Sequence, residues 1–407
     1  MKHRLKGLLA LVLSLVMVFA LATNAWATVW IGSNSLSDNG AFVSDGADGT
    51  ATLNISTENG VEVYTLTLNN FTFEDTLQSS AISSNQDLTL NLIGENKVTA
   101  SYTGSGGAVA VSVTGNLTIK GDNGSSLTVS GTYSITDGIH ADNVTIESGT
   151  VTATGGEAGI SANNNVVITG GTVTATGVKY GIYANSVTIT GGSVTATATG
   201  NDGWGIYGDS EVIIKDGAKV KANANDNGGF GIATKYSTPA GSLSSANTIV
   251  ISGEGTEVEA GCATGLSAST VNILENSTVN ITTNATAPAV GKVIDATTLN
   301  FGGNWYQWST NNPGETTPIS SATKAFALNN YGGTGQNPVP TSFTIEKIST
   351  GGPATPQPPT YYPIYIPTVE DEPEVTAPNT FDGGIASAVV VTILSATGGA
   401  WLAKKKD

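Results

Sequence analysis

Gly138-Ile139-His140-Ala141, Gly159-Ile160-Ser161-Ala162, Gly181-Ile182-Tyr183-Ala184 and Gly205-Ile206-Tyr207-Gly208 are four copies of one pattern, and Gly231-Ile232-Ala233 opens a fifth. Two further matched runs follow each copy. The first is Val144-Thr145-Ile146, Val166-Val167-Ile168, Val187-Thr188-Ile189 and Val212-Ile213-Ile214. The second is Val151-Thr152-Ala153, Val173-Thr174-Ala175, Val194-Thr195-Ala196 and Val220-Lys221-Ala222. The isoleucines at 139, 160, 182, 206 and 232 recur at intervals of 21, 22, 24 and 26. Three short β-branched runs per repeat, separated by Gly, Asn, Asp and Ser, read as three strands per coil. A period in the low twenties fits a solenoid rather than a propeller blade. Stacked coils pair each strand with its equivalent about 4.8 Å away, which makes the sheets parallel. The chain is therefore expected to be an all-β, single-stranded parallel β-helix. The lack of a strict hexapeptide repeat favours right-handed winding.

The register extends outward from these copies. Ala81-Ile82, Leu88-Thr89-Leu90 and Val98-Thr99-Ala100 fit one upstream coil. Ala108-Val109, Leu117-Thr118-Ile119 and Leu127-Thr128-Val129 fit the next. Downstream lie Gly265-Leu266-Ser267-Ala268, Val271-Asn272-Ile273 and Val279-Asn280-Ile281, and then a last coil holding Ala289-Val290 and Leu299-Asn300-Phe301. The total is about nine coils, or about 40 Å of stack.

Strand alternation assigns the faces. Ile182 and Ala184 point inward and Tyr183 points out, so Tyr183 and Tyr207 form an exposed column with His140 and Ser161 below them. Tyr180, Trp204 and Phe230 form a second aromatic column just before the repeat glycine, with inward or turn parity. The column Asp142, Asn163, Asn185 and Asp209 reads as turn chemistry. Exposed rings at coil spacing are a platform on which sugar rings can lie, with nearby polar groups supplying hydrogen bonds. The candidate carbohydrate-binding residues are thus Tyr183, Tyr207, Trp204, Tyr180, Phe230 and His140.

Both ends of the chain address it to a surface. Lys2, Arg4 and Lys6 precede an apolar run to Ala22, and Ala25-Trp26-Ala27 supplies small residues where a signal peptidase cuts. Residues 1–27 therefore read as a secretory signal peptide. At the other end an apolar segment from Ile385 to Ala403 precedes Lys404-Lys405-Lys406, a pattern able to span a bilayer with the lysines inside. Residues 28–50 read as an N-terminal cap, 51–301 as the β-helix, 302–352 as a C-terminal cap containing Trp305-Tyr306-Gln307-Trp308, 353–379 as a proline-rich spacer and 380–407 as the anchor. Ala377-Pro378-Asn379-Thr380-Phe381 with the apolar run and basic tail resembles the sorting signal of sortase-anchored Gram-positive surface proteins, usually Leu-Pro-x-Thr-Gly. Pro378 and Thr380 match that signal, whereas Ala377 and Phe381 depart from it. The resemblance implies cleavage after Thr380 and covalent attachment to peptidoglycan. A retained transmembrane anchor is the alternative.

Composition narrows the function. Without residues 1–27 the chain holds 13 basic and 32 acidic residues, a net charge of −19, which argues against nucleic acid as a partner. Arg4 is the only arginine, and His140 and Cys262 are the only histidine and cysteine beyond the signal peptide. A Ser-His-Asp or Cys-His site would have to use His140. Pectin-degrading lyases, which a parallel β-helix resembles in shape, use arginine or lysine as base, with calcium and basic residues holding the uronate. The lysines here, at 120, 179, 215, 219, 221 and 235, are instead spread over several coils. A glycosidase-like carboxylate pair could come from Asp202 and Asp226 on adjacent coils. The glycine-rich calcium nonapeptide and the Asp-x-Asp-x-Asn-Gly loop are absent.

Leu88-Thr89-Leu90-Asn91-Leu92-Ile93-Gly94-Glu95-Asn96, the repeated Ile-Thr-Gly-Gly-x-Val-Thr-Ala-Thr and the Trp-Tyr-Gln-Trp run are together similar to clostridial carbohydrate-binding domain-containing surface proteins. This resemblance covers about residues 50 to 350. It implies a β-helix shaped like the polysaccharide lyases but binding plant cell-wall polysaccharide, with calcium in some members. The expected function is non-catalytic binding of a plant cell-wall or mucus-type glycan at the surface of a Gram-positive cell. An adhesin for a host or bacterial protein, and a polysaccharide lyase or hydrolase, are the alternatives.

Overall fold

Val, Ile and Thr dominate the repeats, and their branched side chains suit a pleated surface with one face buried. The computed structural model describes residues 29–36, 40–42, 49–76, 80–101, 107–131, 135–225, 228–234, 247–261, 264–274, 276–282 and 294–302, with short strands between 306 and 347 and between 389 and 404. No helix occurs among them, and the fold is an all-β parallel solenoid. Among the described residues, complete turns run from Ser80 to Thr282, about eight in number rather than nine. A further strand, Ile294–Phe301, begins another turn and pairs in parallel with Thr264–Ile273. Its register sets Ile294, not Val290, opposite Leu266. Upstream, Val111 rather than Val109 stands opposite both Ile82 and Ile139, a displacement of two residues that leaves the parity unchanged.

The three runs expected in each coil assemble into two sheets. The first two runs are one bent strand, as in Ala158–Ile168, Tyr180–Ile189 and Trp204–Ile214. The bend falls where the pairing register shifts, between Ala141 and Asn143, between Ser161 and Asn165, and between Ala184 and Ser186. The Asx-rich positions sit at this bend. Asn163 donates to Asp142 Oδ1 at 2.7 Å, and a neighbouring ladder runs from Asn165 to Asn143 at 2.8 Å and from Asn143 to Asn116 at 2.7 Å. The third run of each coil lies in the second sheet, whose parallel strands from Thr72–Asp75 to Thr278–Thr282 pair without a register shift.

Ile139, Ile160, Ile182, Ile206, Ile232 and Leu266 stack as one column, all fully buried. Asn96 is a buried polar residue on this core edge and is satisfied on every side. It accepts from Phe71 N and donates to Ile93 O, Gly94 O and Ser126 O.

Antiparallel strands extend the first sheet at the N-terminal end and the second sheet at the C-terminal end. Val29–Ile31 pairs antiparallel with Ser80–Ser84. Thr50–Glu58 and Val61–Asn69 form a hairpin turning on Asn59 and Gly60, whose φ of 52° and 83° are those of a type I′ turn. Parallel pairing starts only with Val61–Asn69 against Leu88–Ile93, so residues 51–60 belong to the antiparallel end. At the far end Thr278–Thr282 pairs antiparallel with Ser342–Lys347, which pairs antiparallel with Tyr306–Thr310.

Contacts divide the chain into two units, Met1–Thr360 and Tyr361–Asp407. In the second, Val389–Ile393 pairs antiparallel with Ala400–Lys404. The expected span at 385–403 is described only in these two strands, and among the described residues no helix is long and apolar enough to cross a membrane. The signal peptide, the proline-rich spacer, Pro378, Thr380, Cys262, Lys235 and Asp226 lie outside the described residues.

Candidate functional site

The aromatic residues come together in register. Ala158, Tyr180, Trp204, Phe230 and Thr264 follow one another along one column, and His140, Ser161, Tyr183, Tyr207 and Ala233 along the next. Strict alternation would send Tyr180, Trp204 and Phe230 into the core with Ile182, Ile206 and Ile232. They are instead half-buried on the outside. The repeat glycines are the reason. A Cβ on Gly205 would lie 2.7 Å from Gly231 O and 2.9 Å from Asn223 N, and one on Gly181 would lie 2.5 Å from Gly205 O. The opening strand thus runs against the third run of its own coil, the core ends there, and no ring can enter.

Five rings therefore form one patch over three coils. Tyr180 stacks on Tyr183 at 4.8 Å and on Trp204 at 5.2 Å between centroids. Trp204 stacks on Phe230 at 6.0 Å with an interplanar angle of 8°, and Tyr183 on Tyr207 at 5.9 Å. Such pairs are worth about 0.5–1.5 kcal/mol each beyond simple burial, so the stacking favours this arrangement without a ligand. Tyr183 Oη donates to Asp209 Oδ2 at 3.1 Å. Burial, then the Asp209 carboxylate, push Tyr183 up to about 12, and the same two causes with Tyr180 and Tyr183 push Tyr207 up to about 12. Asp209 thus has a role beyond the turn to which the sequence assigns it.

A groove of about 490 Å³ adjoins the rings at the coil corner, lined by Ile135, Glu157, Val178, Lys179, Asp202 and Trp204 among others. Ile135 and Val178 are 59% and 49% exposed, and both line this groove. Lys179 Nζ sits 4.9 Å from the Tyr180 centroid and 3.8 Å from Glu157. Sequence reasoning did not single out Ile135 and Val178. The available signal was their position, two residues before the column that holds the rings.

His140 marks the polar end of the patch. Its Nδ1 lies 2.7 Å from Ser161 Oγ and 3.2 Å from Asp137 Oδ2. The Ser161 hydroxyl donates to Asp137, whose other oxygen accepts from Ala158 N at 3.2 Å. The hydrogen bond to Asp137 raises the imidazole above its ordinary value, partly offset by burial, with Asp137 and Asp142 adding to the rise. Serine and carboxylate face the same ring nitrogen, and the hydroxyl proton is committed to the carboxylate. This is not the Ser-His-Asp relay, in which the two groups occupy opposite nitrogens. Asp137 also escaped sequence reasoning, although it occupies the position before the repeat glycine that holds Tyr180 and Trp204 in later coils.

Four of the lysines weighed for catalysis are paired with acids: Lys179 with Glu157 on the preceding coil, Lys215 with its neighbour Asp216, and Lys219 and Lys221 with Glu257 and Glu259 on the adjacent strand. Among the described residues, no three or more His, Cys, Asp or Glu side chains converge as a metal-binding group. No known family, curated protein or solved structure matches this chain.

Proposed function

We propose that this protein is a non-catalytic polysaccharide-binding module, exported and held at a Gram-positive cell surface, with the glycan lying along the solenoid axis across Tyr180, Trp204, Phe230, Tyr183 and Tyr207. The observation that carries this reading is the patch itself: five partly exposed rings, pre-stacked, advancing one coil at a time. One ring per rung is close to the repeat of an extended sugar chain, so successive sugars meet successive rings. Asp209 and Glu157 stand beside the rings as hydrogen-bond partners for hydroxyls.

Covering the exposed part of one ring with a sugar contributes on the order of 1 kcal/mol, or about a fivefold change in affinity. A single chain on this platform then binds weakly, and many copies on one cell surface would supply the rest by avidity. The basic and apolar N-terminal run supports export, and Pro378, Thr380, the apolar segment and the terminal lysines support anchoring.

In affinity electrophoresis through gels containing neutral polysaccharides, the protein is expected to be retarded by at least one of them, and Tyr183→Ala/Tyr207→Ala to run unretarded. Mobility unchanged across a broad panel would count against the reading. The adhesin alternative draws on the exposure of Ile135 and Val178 and would retain a protein ligand in that same variant pair. The lyase alternative would release unsaturated uronates, visible in the ultraviolet.

A further inference from the structure

Resting on that reading, we infer that the corner groove beside the platform selects glycans bearing acetamido groups, that is, uncharged chains of 2-acetamido sugars. The groove continues from the rings through Trp204, which belongs to both. Its backbone is in register: Glu157 N donates to Thr136 O at 2.8 Å, Lys179 N to Glu157 O at 3.0 Å, and Trp204 N to Lys179 O at 2.8 Å. Ile135, Gly156 and Val178 therefore occupy equivalent positions on three successive coils. Gly156 carries no side chain, so the notch opens between Ile135 and Val178, whose backbones stand two rungs, about 10 Å, apart.

Two features set the chemistry of the occupant. Ile135 and Val178 give the notch two exposed apolar walls that match a methyl group, beside the polar Glu157, Lys179 and Asp202 that face the sugar hydroxyls. Among the described residues Glu157 and Asp202 line the notch, Asp209 stands beside Tyr183 and Tyr207, and the cation of the groove lining, Lys179, is engaged with Glu157 and the Tyr180 ring. That surplus of negative charge repels uronates and sulfated glycans. A neutral sugar whose substituent ends in a methyl meets both conditions, with its ring on Trp204 or Tyr180 and its acetyl methyl in the notch.

The test compares two hexamers of the same β-1,4 glucose backbone, a chitin oligomer and a cellulose oligomer, titrated calorimetrically into the full chain, with a galacturonate hexamer as the anionic arm. The chitin oligomer is expected to bind about fivefold tighter than the cellulose oligomer for each methyl buried, with no binding of the galacturonate. Ile135→Ser/Val178→Ser changes only exposed side chains and is expected to erase the difference while leaving the affinity for the cellulose oligomer unchanged. Gly156→Val, which fills the notch, is expected to do the same. Equal affinity of the unmodified protein for both hexamers would overturn the acetamido selectivity and leave the ring platform standing. A preference that survives both notch variants would overturn the site. Binding of neither hexamer, nor of any neutral glycan in a wider panel, would overturn the platform together with its selectivity.

Discussion

His140 shows what a single column position decides. Its outward placement follows from alternation, and the structure adds Asp137 and Ser161 around one ring nitrogen. The imidazole is raised in the folded state, so its contribution to stability is fully present below the ordinary value of about 6.5 and is lost as pH rises through the raised value. The denaturant midpoint of the native protein should therefore exceed that of His140→Gln more at about pH 6 than at about pH 8.5. An equal gap at both pH values would show that Asp137 does not hold the protonated ring. The histidine's exposure was legible from the pattern, but its partner was not. Asp137 precedes the first clear copy of the repeat, and only the register against Ala158 and Tyr180 identifies it as a member of the ring column.

At the scale of strands and sheets, alternation gave the inward isoleucine ladder correctly and failed at Tyr180, Trp204 and Phe230. Alternation describes a strand with core beneath its whole length, and here the core stops at the glycine. Gly181 is thus a packing residue at the junction of the two sheets. In Gly181→Ala the new methyl would meet Thr197 N and Gly205 O at 2.5 Å, both backbone atoms that cannot move alone. A loss of about 1–3 kcal/mol is expected, read as a lower denaturant midpoint, while Thr174→Ala on the outer face stays within about 0.5 kcal/mol. A neutral Gly181→Ala would contradict the closed corner. The same geometry explains why three expected strands per coil became two. The Asx column was recognisable in sequence, yet whether the chain breaks there or only bends depends on hydrogen bonds between coils, such as those from Asn165 to Asn143 and on to Asn116.

Across the whole molecule, the solenoid class was legible because five copies of one motif leave few other folds, whereas the ends were not, since antiparallel capping strands carry no repeat. Function was legible only as a list of rings. The structure gathers them into one patch, beside a groove whose Ile135 and Val178 lie outside any motif. This patch is where a neutral glycan chain is proposed to bind. A glycan microarray probed with the full chain, beside Tyr180→Ala/Trp204→Ala/Phe230→Ala, tests it most directly. Signal is expected on neutral polysaccharides and lost in the triple variant although its melting transition is retained, and signal that persists undiminished in that variant would place glycan binding elsewhere.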